Sequence, residues 1–511
     1  MHPVTPLQPH PLFNTAATRR MERQAAAALP PHALMQRAGL AVARLARALA
    51  PHTRTVWIAC GPGNNGGDGL EAAMHLQRDG RRVVVTWLGS PEHAPADARQ
   101  SWQRAQAAGV AWADEAPTDM TASDLCIDAL LGIGVTSIPS AAPREPNSRM
   151  LATLTALHYS PAPVLAVDLP SGLDADTGQF AAGFSAPASD TRSHRQARHT
   201  LSLLTLKPGL FTASGRDAAG KVWLDDLGLP AAQEAPSAWL AGPVLPAPRS
   251  HASHKGSYGD VAVVGGEGLA ARGLGMTGAA LLAASAALHA GAGRVLVALL
   301  DDGRMALDGV QPELMFRRFD ALALEELMVV CGCGGGEAVR TVLPTVLAQA
   351  ARLVLDADAL NALAADAALR SLVVNRSVRG LPTVLTPHPL EAARLLGLSA
   401  AEVQADRLRA AQQLAQQLHC IVILKGSGTV IAAPGQAPAI NPTGNARLAT
   451  AGTGDVLAGM VGAGLAGGRA TGADALRAAT EAVYLHGLAA DRWPAEGTLT
   501  AGALARHIGN Y

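Results

Sequence analysis

Aromatic side chains are scarce in this sequence: Phe, Trp and Tyr make up 3% of 511 residues, although hydrophobic residues as a class reach 49%. Ala and Gly must therefore carry much of the packing, and close approach between helices is expected. Net charge is also lacking. Lys plus Arg and Asp plus Glu both number 41, so no overall field draws the chain to nucleic acid or to an anionic membrane. The five cysteines, Cys60, Cys126, Cys331, Cys333 and Cys420, are scattered and odd in number, which argues against a disulfide framework and for a reducing compartment. Cys331 and Cys333 form a lone C-x-C with no second pair and no His cluster, and read as a strand end rather than a metal site. No run is long and apolar enough to span a bilayer, and residues 1–24 lack the continuous apolar core of a secretion signal. A cytoplasmic protein with neither membrane nor nucleic-acid partner is expected.

A chain of 511 residues exceeds one ordinary core, so two or three domains are expected. The stretch of residues 230–250, rich in Pro and Ala with little periodicity, reads as a linker between residues 1–229 and residues 251–511. No internal repeat is apparent.

In the first half, residues 21–50 read as two helices interrupted by Pro30 and Pro31. A β-rich run, Thr55 to Cys60, empties into GPGNNGGDG (residues 61–69), followed by the helical LEAAMHLQ. Gly61, Gly63 and Gly66 satisfy G-x-G-x-x-G, but the second strand ends without the acidic residue a dinucleotide site requires. Asn64, Asn65 and Asp68 suit a polar ligand or a cation. Two further strands end at Asp128 and at Asp168-Leu169-Pro170-Ser171. In an open parallel sheet these strand ends share one edge, so Asn64, Asn65, Asp68, Asp128, Asp168 and Ser171 are expected to converge there. Each Asp taken singly is equally a helix cap.

The second half turns on residues 449–459, ATAGTGDVLAG. Small residues let a backbone pass close to a bound group, and the apolar run from Val456 reads as a helix opening behind the glycines. Its N-terminus suits a phosphate, and Asp455 beside it suits a base that takes a proton from an attacking hydroxyl, though an Asp in a first helical turn is also common without chemistry. Strands are expected at DVAVVGG, RVLVALL, LMVVCGCG, RLVLDADAL, PTVLTPH and IVILKGSG, alternating with helices. Lys425 with Gly426, Ser427, Gly428 and Thr429 could clasp a nucleotide phosphate, or simply form a glycine-rich turn. His388 lies between two prolines and is either a site residue or a capped loop histidine.

These residues carry a resemblance. GPGNNGGDG, DALLGIG, AVDLPSGLDADTG and TLSLLTLKPGL resemble, in order and spacing, the N-terminal domain of bifunctional NAD(P)H-hydrate repair enzymes. HKGSYGD, QPELM, LDADALN, LTPHPLEAARLL, LKGSGTV and NPTGNARLATAGTGDVLAG resemble the ADP/ATP-dependent dehydratase domain of the same enzymes. The resemblance implies an α/β chain of two domains: an N-terminal Rossmann-like three-layer sandwich with NAD(P)H-hydrate epimerase activity, and a C-terminal ribokinase-like dehydratase. By it, Asn65, Asp128 and Ser171 would hold K+. Asn64, Asn65, Gly66, Gly67, Asp68, Gly132, Ile133, Gly134, Val135, Thr136, Ser137, Ile138 and Asp168 would line the first substrate site, with Asp168 as acid/base. In the second domain Lys425, Gly426, Ser427, Gly428, Thr429 and Gly454 would contact ADP or ATP with Mg2+, while Ala280, His388 and the base Asp455 would face hydrated NADH or NADPH. A homo-oligomer is the expected assembly. A small-molecule kinase shares the G-T-G-D logic, and a regulatory protein docking a partner is the non-enzymatic alternative. Three departures from the family pattern are visible: Arg198 where an acidic residue is usual, CGCGGG (residues 331–336) in place of PGLG, and GGEGLAARGLGMTGAA in place of a Tyr-rich loop.

Overall fold

A computed structural model of the chain describes residues 1–137, 146–185, 197–229, 234–243, 250–467 and 472–510. The chain divides into two units, Met1–Thr5 with His10–Ala238, and Pro6–Pro9 with everything from Trp239.

The first unit opens with helices α1 (Thr15–Ala28), capped by the Asn14 side chain on the Ala17 amide, and α2 (Ala33–Leu49), separated where Pro30 and Pro31 remove two donors. Strands β1 (Thr55–Cys60), β2 (Arg82–Trp87), β3 (Leu125–Ala129), β4 (Val164–Val167), β5 (Arg198–Leu203) and β6 (Lys221–Asp225) run parallel in the order β6-β5-β4-β3-β1-β2. Two-residue strands, His2–Pro3 and Ala111–Trp112, close the edges. Helices α2, α3 (Asn64–Arg78) and α4 (Ala96–Ala107) cover one face through Val42, Leu45, Leu70, Met74 and Ala105. Helix α5 (Ser148–Tyr159) covers the other, its Leu154 and Leu157 packed with Trp57 and Cys126. This is a three-layer sandwich. Its strand order reverses between β1 and β3, which opens a crevice at their carboxyl ends.

One sequence expectation fails here. The glycine stretch is not a loop followed by a helix, because α3 already begins at Asn64 and takes in Gly66, Gly67 and Gly69. Glycine is a poor helix former, and tertiary contact explains its use. A methyl group at Gly66 would meet the Gly61 carbonyl oxygen at 2.0 Å, and one at Gly69 would meet the Ala129 methyl at 2.6 Å.

In the second unit β7 (Asp260–Gly265), β8 (Arg294–Leu299), β9 (Met328–Cys331), β10 (Arg352–Leu355), β11 (Thr383–Leu385) and β12 (Ile421–Leu424) are parallel in the order β8-β7-β9-β10-β11-β12. Strand β13 (Val430–Ala432) follows, antiparallel to β12. Helices α6 (Thr277–His289), α11 (Thr453–Ala466) and α12 (Gly472–Asp491) bury Ala- and Val-rich faces on one side. On the other lie α7 (Val339–Gln349), α8 (Ala357–Ala365), α9 (Pro389–Leu396) and α10 (Arg407–Leu418). The shortage of aromatics has the expected consequence in α11. A methyl at Gly459 would lie 2.0 Å from the Ala283 carbonyl oxygen on α6, and one at Gly462 would lie 2.5 Å from Val330 on β9. The stretch read as a linker contains a short strand, Ala238–Leu240, whose Trp239 and Leu240 pair with Ala439 and Ile440. Three residues between prolines are too few to show a period of two.

Candidate functional site

The crevice of the first unit is built on close backbone packing. A side chain at Gly61 would meet the Leu130 carbonyl oxygen at 1.8 Å, so the ends of β1 and β3 touch there. Asp128, on the last turn of β3, accepts from the Ser171 amide at 2.9 Å and from the Ser171 hydroxyl at 2.5 Å, while the Leu131 amide donates to Ser171 Oγ at 2.9 Å. Burial pushes the Asp128 carboxyl up, against the pull of those hydrogen bonds. Asn65 reaches the same place, since a methyl at Gly132 would lie 3.2 Å from Asn65 Oδ1. One end of the Asn65 amide, placed as Nδ2, is buried without a hydrogen-bond partner. The two ends of an amide are distinguished only by their partners, and an oxygen turned to that position beside Asp128 and Ser171 gives the hard donor set a monovalent cation requires. Asn65, Asp128 and Ser171 could thus hold a monovalent cation. Arg198, on β5, is largely buried and contributes positive potential at Asp128.

Asp168 follows β4 with a left-handed backbone, φ 68°, rarely adopted by a non-glycine residue and frequent at functional sites. Its carboxylate accepts the Leu203 amide at 3.1 Å and an ion pair from the fully buried Lys207, whose ammonium also donates to Leu203 O at 2.8 Å and Ser202 Oγ at 3.3 Å. Asp68 and Glu22 stand in the same field. Burial, then the Asp168 charge, pushes both carboxyls up, Asp68 well above the usual range. The segment from Gly132 to Ser137 is half-exposed and tied down by Asp174, which accepts from the Ser137 amide at 2.6 Å and hydroxyl at 3.0 Å. Ile138 lies outside the described residues.

Gly66 and Gly67 are both buried, and a methyl at Gly67 would lie 2.7 Å from Met35 Sδ, so their lack of a side chain serves the approach of α3 to its neighbours, while Asn64 in its first turn is exposed.

The second unit gathers its polar groups at the carboxyl ends of β9 to β12 and at the N-terminus of α11. Thr453, Gly454 and Asp455 are already the first turn of α11, one residue after Gly452 at φ 89°. Asp356, buried after β10, accepts from Thr386 Oγ1 at 2.7 Å and from Lys425 Nζ at 2.7 Å. Lys425 meets the first turn of α11 directly: a methyl at Gly454 would stand 3.2 Å from its Nζ. Burial, then the Asp356 charge, pushes Asp455 up to about 7. Gly426 takes φ 138°, and Thr429 donates to its carbonyl oxygen at 3.2 Å. His388 is the N-cap of α9, its Nδ1 accepting from the Leu390 amide at 3.1 Å, and Nε2 lies 3.2 Å from Glu391. The Ala280 methyl is fully buried beside Gly266.

The two altered segments meet. The Glu267 amide donates to Gly334 O at 2.6 Å, the Gly266 amide to Cys333 O at 2.9 Å, and Glu267 Oε1 accepts the Ala338 amide at 3.0 Å. Arg272 closes on Glu267 from Nε at 2.8 Å and from the guanidinium end at 2.5 Å. The segment 331–336 and the loop after β7 are thus bonded to each other at the β7/β9 strand-order reversal.

Sequence reasoning missed several groups. Lys207 sits in a quoted motif, where a lone Lys in an apolar run signals a buried carboxylate partner. Arg407, fully buried, donates to Leu424 O and Lys425 O at 3.2 Å each and so fixes the turn entering 425–429. His486, pulled down to about 4 by burial, is neutral and presents Nε2 3.0 Å from Thr453 O, bracing the first turn of α11. Neither Arg407 nor His486 has a sequence signal, because their partners are remote main-chain oxygens. Among the described residues the one cluster with metal-ligand spacing is Cys333, Asp356 and Asp455. Cys331 points into the opposite core layer from Cys333, as a strand end requires.

Comparison with known proteins agrees with this division. The family described as NAD(P)H-hydrate dehydratase matches residues 263–511, and that described as YjeF-related protein N-terminus matches residues 31–209. The chain is 36% identical to the bifunctional NAD(P)H-hydrate repair enzyme Nnr of Escherichia coli (strain K12), over 94% of this chain and 90% of that one. It is likewise 36% identical to the enzyme of the same name from Moorella thermoacetica, over 91% and 88%. Among solved structures, the ADP/ATP-dependent NAD(P)H-hydrate dehydratase of Bacillus subtilis, co-crystallised with ATP/Mg2+, is 32% identical, covering 52% of this chain and 92% of that one with a TM-score of 0.41.

Proposed function

The chain belongs to the bifunctional NAD(P)H-hydrate repair enzymes, and from that premise we propose how its own residues carry out the two reactions. The first unit interconverts the R and S forms of hydrated NADH and NADPH. The second, ribokinase-like unit dehydrates the S form at the expense of ADP or ATP, giving AMP or ADP and phosphate.

For dehydration, the supporting observation is the meeting of Asp455, Lys425 and the α11 N-terminus. Asp455 as carboxylate takes the proton of the ring hydroxyl, and the freed oxygen attacks the terminal phosphorus of the nucleotide. Lys425 and the first amides of α11 hold the charge that grows on the phosphoryl oxygens. Phosphate then leaves with the electron pair of the carbon–oxygen bond, and loss of a neighbouring proton restores the ring double bond. Asp356 holds Lys425 in place. Mg2+ neutralises nucleotide phosphates when bound. Cys333, Asp356 and Asp455 are the cluster with metal-ligand spacing, and their carboxylate oxygens would be the protein groups to meet an ion carried by the nucleotide, which would supply charge neutralisation on the phosphates. Incubation with hydrated NADH and ADP tests the function, since only the repair reaction regenerates the absorbance of reduced nicotinamide. Formation of a stable phosphoester instead would make the unit a small-molecule kinase.

For epimerisation, Asp168 moves the proton at the hydroxyl-bearing centre, oriented by Lys207 and the Leu203 amide. K+ held by Asn65, Asp128 and Ser171 would add fixed positive charge at the substrate end of the crevice. Asp128→Ala should abolish any stimulation of epimerisation by K+, and a variant that responds to the ion as the parent does removes the cation from this site. Reaction in the cytoplasm, on free nucleotides and in a homo-oligomer, completes the reading; sedimentation at working concentration tests the assembly.

A further inference from the structure

Two arginines of the second unit, Arg376 and Arg407, are each only 1% exposed and donate to main-chain carbonyl oxygens. Arg376, on the helix Ala367–Val378, serves the amino end of the sheet: Nη1 donates to Leu347 O at 3.0 Å and to Ala350 O at 2.8 Å, and Nε donates at 2.9 Å to the hydroxyl of Thr383, where β11 begins. Arg407 serves the carboxyl end. It opens α10, and its Nη2 donates at 3.2 Å both to Leu424 O, the last of β12, and to Lys425 O, while Nη1 donates to Gln404 Oε1 at 2.7 Å. We propose that Arg407 is a positioning residue for the adenine nucleotide, one that orients the peptide between Lys425 and Gly426 and stands as a fixed positive charge behind the 425–429 turn. The proposal rests on the reading of that turn as the nucleotide site.

The orientation follows from the planarity of the peptide. In a trans peptide the N–H points opposite to the C=O, so drawing the Lys425 carbonyl onto Arg407 turns the Gly426 amide away from it, to the opposite side of the turn. Gly426 is exposed, and its amide has no protein hydrogen-bond partner among the described residues. It is a donor held ready for an anion. The preceding peptide obeys the same rule, since Leu424 O accepts from Arg407 and the Lys425 amide donates at 2.9 Å on the other side, to Pro387 O. At Gly426, φ is 138°, and a methyl there would lie 2.7 Å from Arg407 Nη1 and 2.9 Å from Nη2, so the guanidinium fills the space behind the turn. The far end is tied down separately, by the Asn441 amide on Thr429 O at 2.9 Å and by the Thr429 hydroxyl on Gly426 O at 3.2 Å.

Burial pulls Arg407 down to about 10, which leaves it charged at neutral pH. Its planar fork reaches two successive carbonyls, a geometry that the single ammonium of a lysine does not reproduce. Arg376 is buried to the same degree and held by the same kind of acceptor, but at the opposite end of the strands, and it therefore serves as the control for a purely structural role.

The test is equilibrium binding of ADP and of ATP with Mg2+ to the full-length protein and to its Arg407→Met, Arg407→Lys and Arg376→Met variants. Dehydration kcat at saturating nucleotide and the melting temperature are followed in each. Arg407→Met keeps the bulk of the side chain without its donors and should raise the nucleotide Kd by about tenfold or more, the order set by losing one charge-assisted hydrogen bond, with little change in kcat. Arg407→Lys keeps the charge without the fork and should fall between Arg407→Met and the parent. Arg376→Met should lower the melting temperature and leave the Kd unchanged. Parent affinity in Arg407→Met, or a loss confined to kcat, overturns the proposal. So does a rise in Kd matched by Arg376→Met, which would mark the loss as one of packing. If Arg407→Met does not fold, Arg407→Lys against Arg376→Lys makes the same comparison. Gly428→Val, a strained substitution within the turn at φ 62°, separates the premise. Lost affinity there beside parent affinity in Arg407→Met overturns the role of Arg407 alone, whereas retained affinity removes the turn from nucleotide binding and the proposal with it.

Discussion

Asp455→Asn should lower dehydration turnover by about 10² or more, the usual scale for removing a general base. Asn keeps the size of the side chain and cannot take the proton, so the loss belongs in kcat rather than in nucleotide affinity, which the proposal assigns to Lys425 and the 425–429 turn. The parent activity should rise through about pH 7 as Asp455 ionises, because only the carboxylate accepts a proton and burial has placed its pKa there. That limb should be absent from the residual activity of the variant. Each unit builds its site from its own residues, so epimerisation by the same preparation should match the parent. Retained dehydration would reduce Asp455 to a residue of the first helical turn.

Strand ends were legible from the chain alone. Asp128 stands near the end of a short apolar run, Asp168, Asp356 and Lys425 each follow one, and in a parallel sheet such runs must deliver their ends to one edge. Helix starts were not. In both halves the glycine motif was read as a loop before a helix, whereas α3 begins at Asn64 and α11 at Thr453, inside the motifs. Local propensity disfavours those starts, and the cause lies in contacts that sequence does not display, such as Gly66 against Gly61 and Gly454 beside Lys425. The buried bases and cations were hidden for the same reason. Lys207 lies 39 positions from Asp168 and His486 lies 33 from Thr453, so neither pairing has a local pattern.

Asp168→Asn should slow epimerisation by about 10² or more, on the scale for losing a general acid/base, while dehydration is unchanged. Here a second effect accompanies the first. Lys207 is fully buried and Asp168 is its counter-charge, so the neutral Asn leaves an ammonium without compensation, which in comparable buried pairs costs about 3–5 kcal/mol. The first unit should therefore melt earlier, and a lost rate alone would not distinguish chemistry from unfolding. Asp168→Asn combined with Lys207→Met separates them. With both partners neutral and the volume kept, the charge penalty disappears and the melting temperature should recover most of the way to the parent. Epimerisation should stay as low as in the single variant, because no proton acceptor has returned to the left-handed position after β4. A double variant that regains both stability and epimerisation would show that Asp168 serves only to neutralise Lys207, and that the proton moves through Asp68 or Glu22 instead.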